Sequence, residues 1–241
     1  MSYLYTVGYR TFGSNSQELL DSLHRLKVNV LLDVRSVPFS RKYSMFNKDT
    51  LGANAAKLGI QYIHVPELGA KAIPNWDVYS PAQDVWNSAG ILPWESSCAF
   101  PIPGYNRPER TPLNASDLIV DFDKLFKYRE YVETMTHFEA HFAKGDTICL
   151  MCAEADPVEC HRYFMHGRFL EDVFGPTLNI RHLGKDADGD LAYALQETVD
   201  DTLINVIASK FKDFNPNDFS NRKELLKACH RLNNLLHGWK K

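Results

Sequence analysis

Short apolar runs that alternate with amphipathic stretches constrain this chain more than any other feature of its sequence. Residues Leu4 to Gly8 are apolar and β-prone, and Leu19, Leu20, Leu23 and Leu26 then share one face of a helical segment that Ser14 or Ser16 can cap. Val28 to Val34 runs on apolar without alternating, the pattern of a strand buried on both faces. Asp49 to Leu58 predicts a second helix closed by Gly59, and Gln61 to Val65 a third strand. Strands separated by single helices and short turns pair in parallel, with helices covering both faces of the sheet. The predicted fold class is therefore α/β: a Rossmann-like three-layer sandwich with a mainly parallel sheet.

Between Ala70 and Ala115 the alternation stops. Seven of the twelve prolines fall there, with Trp76, Tyr79, Trp86, Trp94, Phe100 and Tyr105. So long an interruption is an insertion, either a lid over a site or a cover for a sheet edge. Leu118, Phe122, Leu125, Tyr128, Val132, Met135, Phe138 and Phe142 then predict one long amphipathic helix ending at Gly145. Thr147 to Cys152 is a further buried strand, Asp156-Pro157-Val158-Glu159 opens a helix that runs to Phe174, and Leu178 to His182 reads as a last strand. From Leu191 onward two helical stretches flank Asn215-Pro216-Asn217. The domain reading is an α/β domain over 1–190 with the insertion at about 70–115, and a C-terminal helical appendix over 191–241 packed on it.

Composition narrows the function. With 241 residues, 44% of them hydrophobic, the chain can bury a full core, and a net charge of −3 supplies no global field for nucleic acid, so any basic patch is local. No apolar run is long enough to span a bilayer and no signal-like N-terminus is present, so the expectation is a cytoplasmic protein without a membrane partner. Five cysteines, an odd number in a chain large enough to fold without staples, predict reduced thiols.

Ligands of open parallel sheets bind beyond the carboxyl ends of the strands. There the sequence carries Arg10 after the first strand; Asp33, Arg35, Ser36 and Arg41 after the second; His64 after the third; and Cys152, Glu154, His161 and Arg162 after the fourth. Arginines drawn from three elements suggest an anion, with phosphate preferred, because guanidinium forks match paired oxygens. The structural alternative has Arg10 and Arg35 paired with Asp33 and Glu154. Glu154 can act as base or nucleophile, Cys152 as a thiolate, and His161 as base or anion donor. Their structural alternatives are a cap, a packed strand-end residue and a core histidine.

Cys149, Cys152, Cys160 and His161 offer four zinc ligands on paper. Cys149 and Cys152, three apart in a strand, point to opposite faces, and the expectation is no metal and no cofactor. No Walker loop and no dinucleotide-binding glycine fingerprint is present. Cys152 and Arg162 are also too far apart for the anion cradle of rhodaneses and cysteine-dependent phosphatases.

Thr6-Val7-Gly8-Tyr9-Arg10, Asp33 through Pro38, Phe46-Asn47, Tyr62 through Gly69, and Cys152-Ala153-Glu154 through Pro157 to Cys160-His161-Arg162 together resemble a bacterial and archaeal family, domain of unknown function 488. The resemblance covers roughly residues 3–184 with the insertion set aside. It implies an α/β fold with these motifs as shared signature, and no reaction. Tyr9-Arg10 stands where many relatives carry His-Ser, and the 70–115 segment is longer and more aromatic than the family implies. The functional expectation is an enzyme, a hydrolase or transferase, acting on a phosphate-bearing small molecule, nucleotide or nucleic acid, with N-glycosidic chemistry suited to Glu154. The alternative is a non-catalytic nucleic-acid or partner-binding module in DNA maintenance or defence. The oligomeric state is not encoded in any feature of the sequence.

Overall fold

Strands whose residues are apolar on both sides of the pleat form the middle of the sheet, because only there does neither face meet water. The computed structural model describes residues 2–69, 76–89, 116–211 and 214–237. In chain order its elements are β1 (Ser2–Gly8), α1 (Ser16–Arg25), β2 (Val30–Asp33), α2 (Lys48–Lys57), β3 (Gln61–His64), β4 (Tyr79–Pro81), α3 (Ala82–Ser88) and β5 (Leu118–Val120). There follow α4 (Phe122–Leu125), α5 (Arg129–Ala143), β6 (Ile148–Cys152), α6 (Arg168–Phe174), β7 (Leu178–Lys185), β8 (Leu191–Leu195), α7 (Gln196–Lys210) and α8 (Arg222–His237). They fall into two compact units, residues 1–74 with 129–199, and residues 75–128 with 200–241.

The first unit is the predicted Rossmann-like α/β sandwich. Its sheet runs β3-β2-β6-β1-β7-β8, parallel except for β8, which pairs antiparallel with β7 at the edge. Tyr5 and Val7 of β1, Leu31 of β2, and Cys149 and Met151 of β6 join Leu19, Leu20 and Leu23 of α1 and Leu51 and Ala55 of α2 in one core. Their neighbours in the pleat, Leu4, Leu32, Ile148, Leu150 and Cys152, must point the other way and are buried too, so both faces are covered. Asn15, between the two serines expected to cap α1, is the residue that caps it, accepting from the Glu18 amide at 3.0 Å.

Two helical expectations need correction. Leu118 to Phe142 is not one helix: Leu118–Val120 is strand β5, Asp121 accepts from the amides of Asp123 and Lys124 and so starts α4, and α5 begins only at Arg129. A capping carboxylate at Asp121 resets the backbone where periodicity alone continued it. Leu191–Leu195, read as the start of a helical appendix, is edge strand β8, with Tyr193 and Leu195 exposed. Residues 200–241 belong to the second unit, in which β4 and β5 form a two-stranded antiparallel ribbon. There Asn234 of α8 donates to the Val120 carbonyl at 2.5 Å, Arg231 pairs with Asp123, and the rings of Trp86 and Phe211 lie 5.7 Å apart. Of the 70–115 insertion, residues 76–89 form a 3₁₀ turn (Trp76–Val78), β4 and α3; the remainder, with Trp94, Phe100 and Tyr105, lies outside the described residues. Among the described residues no helix is long and apolar enough to cross a membrane.

A polar bridge is sealed between sheet and helix in the first unit. The ring of His182 on β7 takes the Thr6 hydroxyl at Nδ1 (2.8 Å) and meets Gln196 Oε1 through Nε2 (2.7 Å), so it is satisfied as a neutral imidazole. Burial pushes its pKa down from the ordinary 6.5 to about 3. The unfolded chain therefore takes up a proton near pH 6.5 that the folded chain refuses until about pH 3. The His182 contribution is fully present above that upper limit and is lost as pH falls, by up to about 1.4 kcal/mol per pH unit. Urea unfolding compared at about pH 7 and about pH 5 will show a smaller loss of stability in His182→Gln than in the wild-type chain; equal losses would mean that another group carries the dependence.

Candidate functional site

The chain reverses its direction of travel across the sheet between β2 and β6. β2 leads outward to its neighbour β3, whereas β6 leads across β1 to β7, so the loops leaving these adjacent strands diverge and open a crevice at their carboxyl ends. Cys152 is the last residue of β6 and Asp33 the last of β2, in register with Met151. His161 Nε2 lies 2.9 Å from the Val34 carbonyl and ties the two sides of this switch point together.

The turn after β6 is held from several sides. A Cβ on Gly8 would stand 1.6 Å from the Glu154 carbonyl oxygen, so only glycine lets β1 come this close. The Arg10 amide donates to the Ala153 carbonyl at 3.3 Å. Arg162, fully buried, donates through Nη1 to the Glu154 carbonyl (2.5 Å) and through Nη2 to the Ala155 carbonyl (2.9 Å). Asp156 caps the next segment as expected, accepting from the Val158 amide at 2.9 Å, but only a 3₁₀ turn (Pro157–Glu159) follows. The chain then passes through Cys160 and His161 into a π-helical turn (Arg162–Gly167) before α6, and π turns recur at functional sites. Gly8→Ala forces backbone against backbone, and we expect it to lower unfolding free energy by about 1–3 kcal/mol in urea titration; an unchanged midpoint would show that the turn can retreat.

Four side chains converge inside this turn. The Cys152 thiol donates to Glu154 Oε2 at 2.9 Å and the Cys160 thiol to the same oxygen at 3.2 Å. His161 Nδ1 lies 3.5 Å from Cys152 Sγ and 3.8 Å from Cys160 Sγ. The four donor atoms all lie within 4.8 Å of one another. Cys152, Cys160 and His161 are buried, and Glu154 alone is partly exposed. Burial pushes the Cys152 thiol well above its ordinary range. Burial also opposes ionisation of Cys160, but the adjoining Cys152 thiol and the Arg162 charge outweigh it and bring that thiol down. For Glu154 burial is again the largest influence and acts upward; the Cys152 hydrogen bond and the His161 charge overcome it and hold the carboxyl at about 2. His161 is raised against its burial by Cys160 and Glu154. This is an anionic pocket organised around an imidazole.

Of the expected catalytic residues, Cys152, Glu154 and His161 are therefore brought together. Cys160, absent from the expected set, completes them; its signal was its place directly before His161, on the far side of the turn from Cys152. The expectation of no metal needs revision in its reasoning. Cys149 does point away, into the core beneath α1 and α2, but the thiol that partners Cys152 is Cys160.

The expected anion-binding arginines divide. Arg162 is buried and donates to two backbone carbonyls, so in this structure it clamps the turn. Arg35 is buried and paired with Asp33, through Nε to Oδ1 at 2.7 Å and Nη2 to Oδ2 at 2.5 Å, and Nη2 also donates to the Phe46 carbonyl at 2.7 Å. Burial works against its charge, but Asp33 more than offsets that and raises the guanidinium pKa. Asp33 thus serves Arg35 and accepts from the Tyr62 hydroxyl (2.5 Å). Nη1 of Arg35 has no partner among the described residues. His64 Nε2 meets the Arg35 carbonyl at 2.8 Å, and Ser36 is half-buried against Gly69. Arg10 and Arg41 are exposed. Removing one member of a buried pair strands the other charge, so Asp33→Asn will cost about 3 kcal/mol or more in urea unfolding. Addition of Arg35→Met to that variant will recover part of the loss; no recovery would mean that the pair is not what the substitution breaks.

Residues 15–87 match the family model described as domain of unknown function DUF488. The match covers β2, β3 and the Asp33-Arg35 pair and ends ahead of β6, so the Cys152–His161 cluster lies outside it. No curated protein and no solved structure matches the chain.

Proposed function

For a chain of the domain of unknown function 488 family, whose description assigns no reaction, we propose an enzyme, a hydrolase or transferase, working at the carboxyl ends of β2 and β6 on a phosphate-bearing substrate of the nucleotide or nucleic-acid class. The observation that carries the reading is the meeting of Cys152, Glu154, Cys160 and His161 within 4.8 Å at the switch point of a parallel sheet. Proton-transfer groups packed this closely in a mostly buried turn serve chemistry better than they serve stability, since buried polar clusters are costly to satisfy. Glu154 alone is partly exposed and is the group that meets substrate.

The substrate class rests on the loop after β2. Phe39 is 61% exposed there, and Arg41 and Lys42 beside it are exposed cations. An open aromatic face among cations suits a base and its phosphates, as in proteins that grip single strands by stacking and charge. Arg10, whose amide is bonded to the Ala153 carbonyl, adds a further exposed cation beside the Glu154 turn.

Turnover of nucleotides and short single-stranded oligonucleotides, followed by chromatography of the products, tests the reading. Glu154→Gln will lower the rate by about 10²–10⁴-fold, and Arg41→Ala with Lys42→Ala will weaken binding and its salt dependence while sparing the rate at saturation. Salt-sensitive binding with no product from any of these substrates would instead mark a non-catalytic binding module.

A further inference from the structure

We propose that Cys152, Glu154, Cys160 and His161 bind one divalent ion of the zinc class, a site that rests on the same cluster as the function proposed above and supplies what that function lacks, an electrophile. The donor set is two thiols, an imidazole and a carboxylate, the ligand types that zinc selects.

Geometry supports the site in detail. Tetrahedral zinc, with bonds of about 2.3 Å to sulfur and about 2.0–2.2 Å to nitrogen and oxygen, sets its ligand atoms roughly 3.5–3.8 Å apart. The imidazole already stands 3.5 and 3.8 Å from the two sulfurs. The carboxylate oxygen stands 2.9 and 3.2 Å from them, shorter because thiol protons bridge these pairs. Replacing both protons by one cation asks for an expansion of a few tenths of an ångström at the partly exposed side chain. The imidazole already has the orientation of a ligand. Its Nε2 is occupied by the Val34 carbonyl at 2.9 Å, which leaves Nδ1 facing the sulfurs, and ligating histidines are fixed in this way by their second nitrogen.

Charge supports it too. Two thiolates and a carboxylate around a dication leave a single negative charge, and the buried guanidinium of Arg162, held on the carbonyls of Glu154 and Ala155, offsets it. Cys149 is excluded from the set by facing the opposite side of β6. Bound there, the ion supplies Lewis-acid chemistry for hydrolysis.

The test measures metal without substrate, so it fails separately from the proposed activity. The full-length chain, purified without chelator, is assayed by elemental analysis, and a chelated sample is titrated with cobalt(II). We expect about one zinc per chain, and a cobalt complex with thiolate charge-transfer absorption and the strong visible bands of a tetrahedral centre. Cys160→Ser and His161→Ala will lose stoichiometric metal, and Cys229→Ala, in the second unit, will keep it. Because ligand variants can unfold, the cobalt spectrum of the wild-type chain decides on its own. Absence of thiolate charge transfer, or metal retained in the Cys152→Ser/Cys160→Ser double variant, overturns the proposal, whether or not the chain turns over a nucleotide.

Discussion

The approach of Gly8 to the turn that follows β6 is the contact on which the rest of the site depends. β1 and β6 pair in register up to Gly8 opposite Cys152, and beyond that point the β6 chain folds back so tightly that the Glu154 carbonyl occupies the space a side chain on Gly8 would fill. The fold-back turns the Glu154 and Ala155 carbonyls inward, where water cannot solvate them. Arg162 answers both, which explains why a fully buried guanidinium is tolerated: its two Nη groups are satisfied, and its charge lies beside thiols and a carboxylate that benefit from it. Remove the glycine or the guanidinium, and Cys152 and Cys160 lose their common neighbour in Glu154.

A second clamp does the same for β2. Asp33 closes the strand, turns back on Arg35 and takes the Tyr62 hydroxyl from β3, and Arg35 reaches the Phe46 carbonyl. The Tyr9 ring, stacked on Phe46 with centroids 4.7 Å apart, lies beneath the guanidinium at 5.0 Å. The loops after β1, β2 and β3 are thereby one packed assembly. Its output toward the site is small and specific: it fixes the Val34 carbonyl that sets the His161 ring.

The sheet was legible because burial on both faces writes a continuous apolar run, and β2 and β6 could be read within a residue or two at either end. The edge strand β8 was not, since Leu191-Ala-Tyr-Ala-Leu exposes part of its surface and its leucines happen to continue the spacing of α7. The rim was legible as a place but not as a division of labour. Sequence showed arginines after several strands; whether each faced an anion, a carboxylate or a pair of carbonyls depended on a close backbone approach at Gly8 that spacing does not encode. The convergence of Cys152, Glu154, Cys160 and His161 was only partly legible for a related reason. Strand geometry correctly separated Cys149 from Cys152, but only the folded turn brings Cys160, eight positions on, to the sulfur it matches.

The buried state of the cluster bears on how such a site could work. Cys152, Cys160 and His161 are sealed between β6 and the π-helical turn, so none of them can meet a substrate without the turn unfolding. Glu154 is the single member with a route to solvent, and it is also the one that contacts both sulfurs. Under the proposed function, chemistry at this centre would pass through the carboxylate, which would exchange a proton with substrate or yield its place near the sulfurs to an incoming oxygen. Both demands favour a carboxylate over a third thiol: it has two oxygens, so one can stay with the buried cluster while the other faces the crevice.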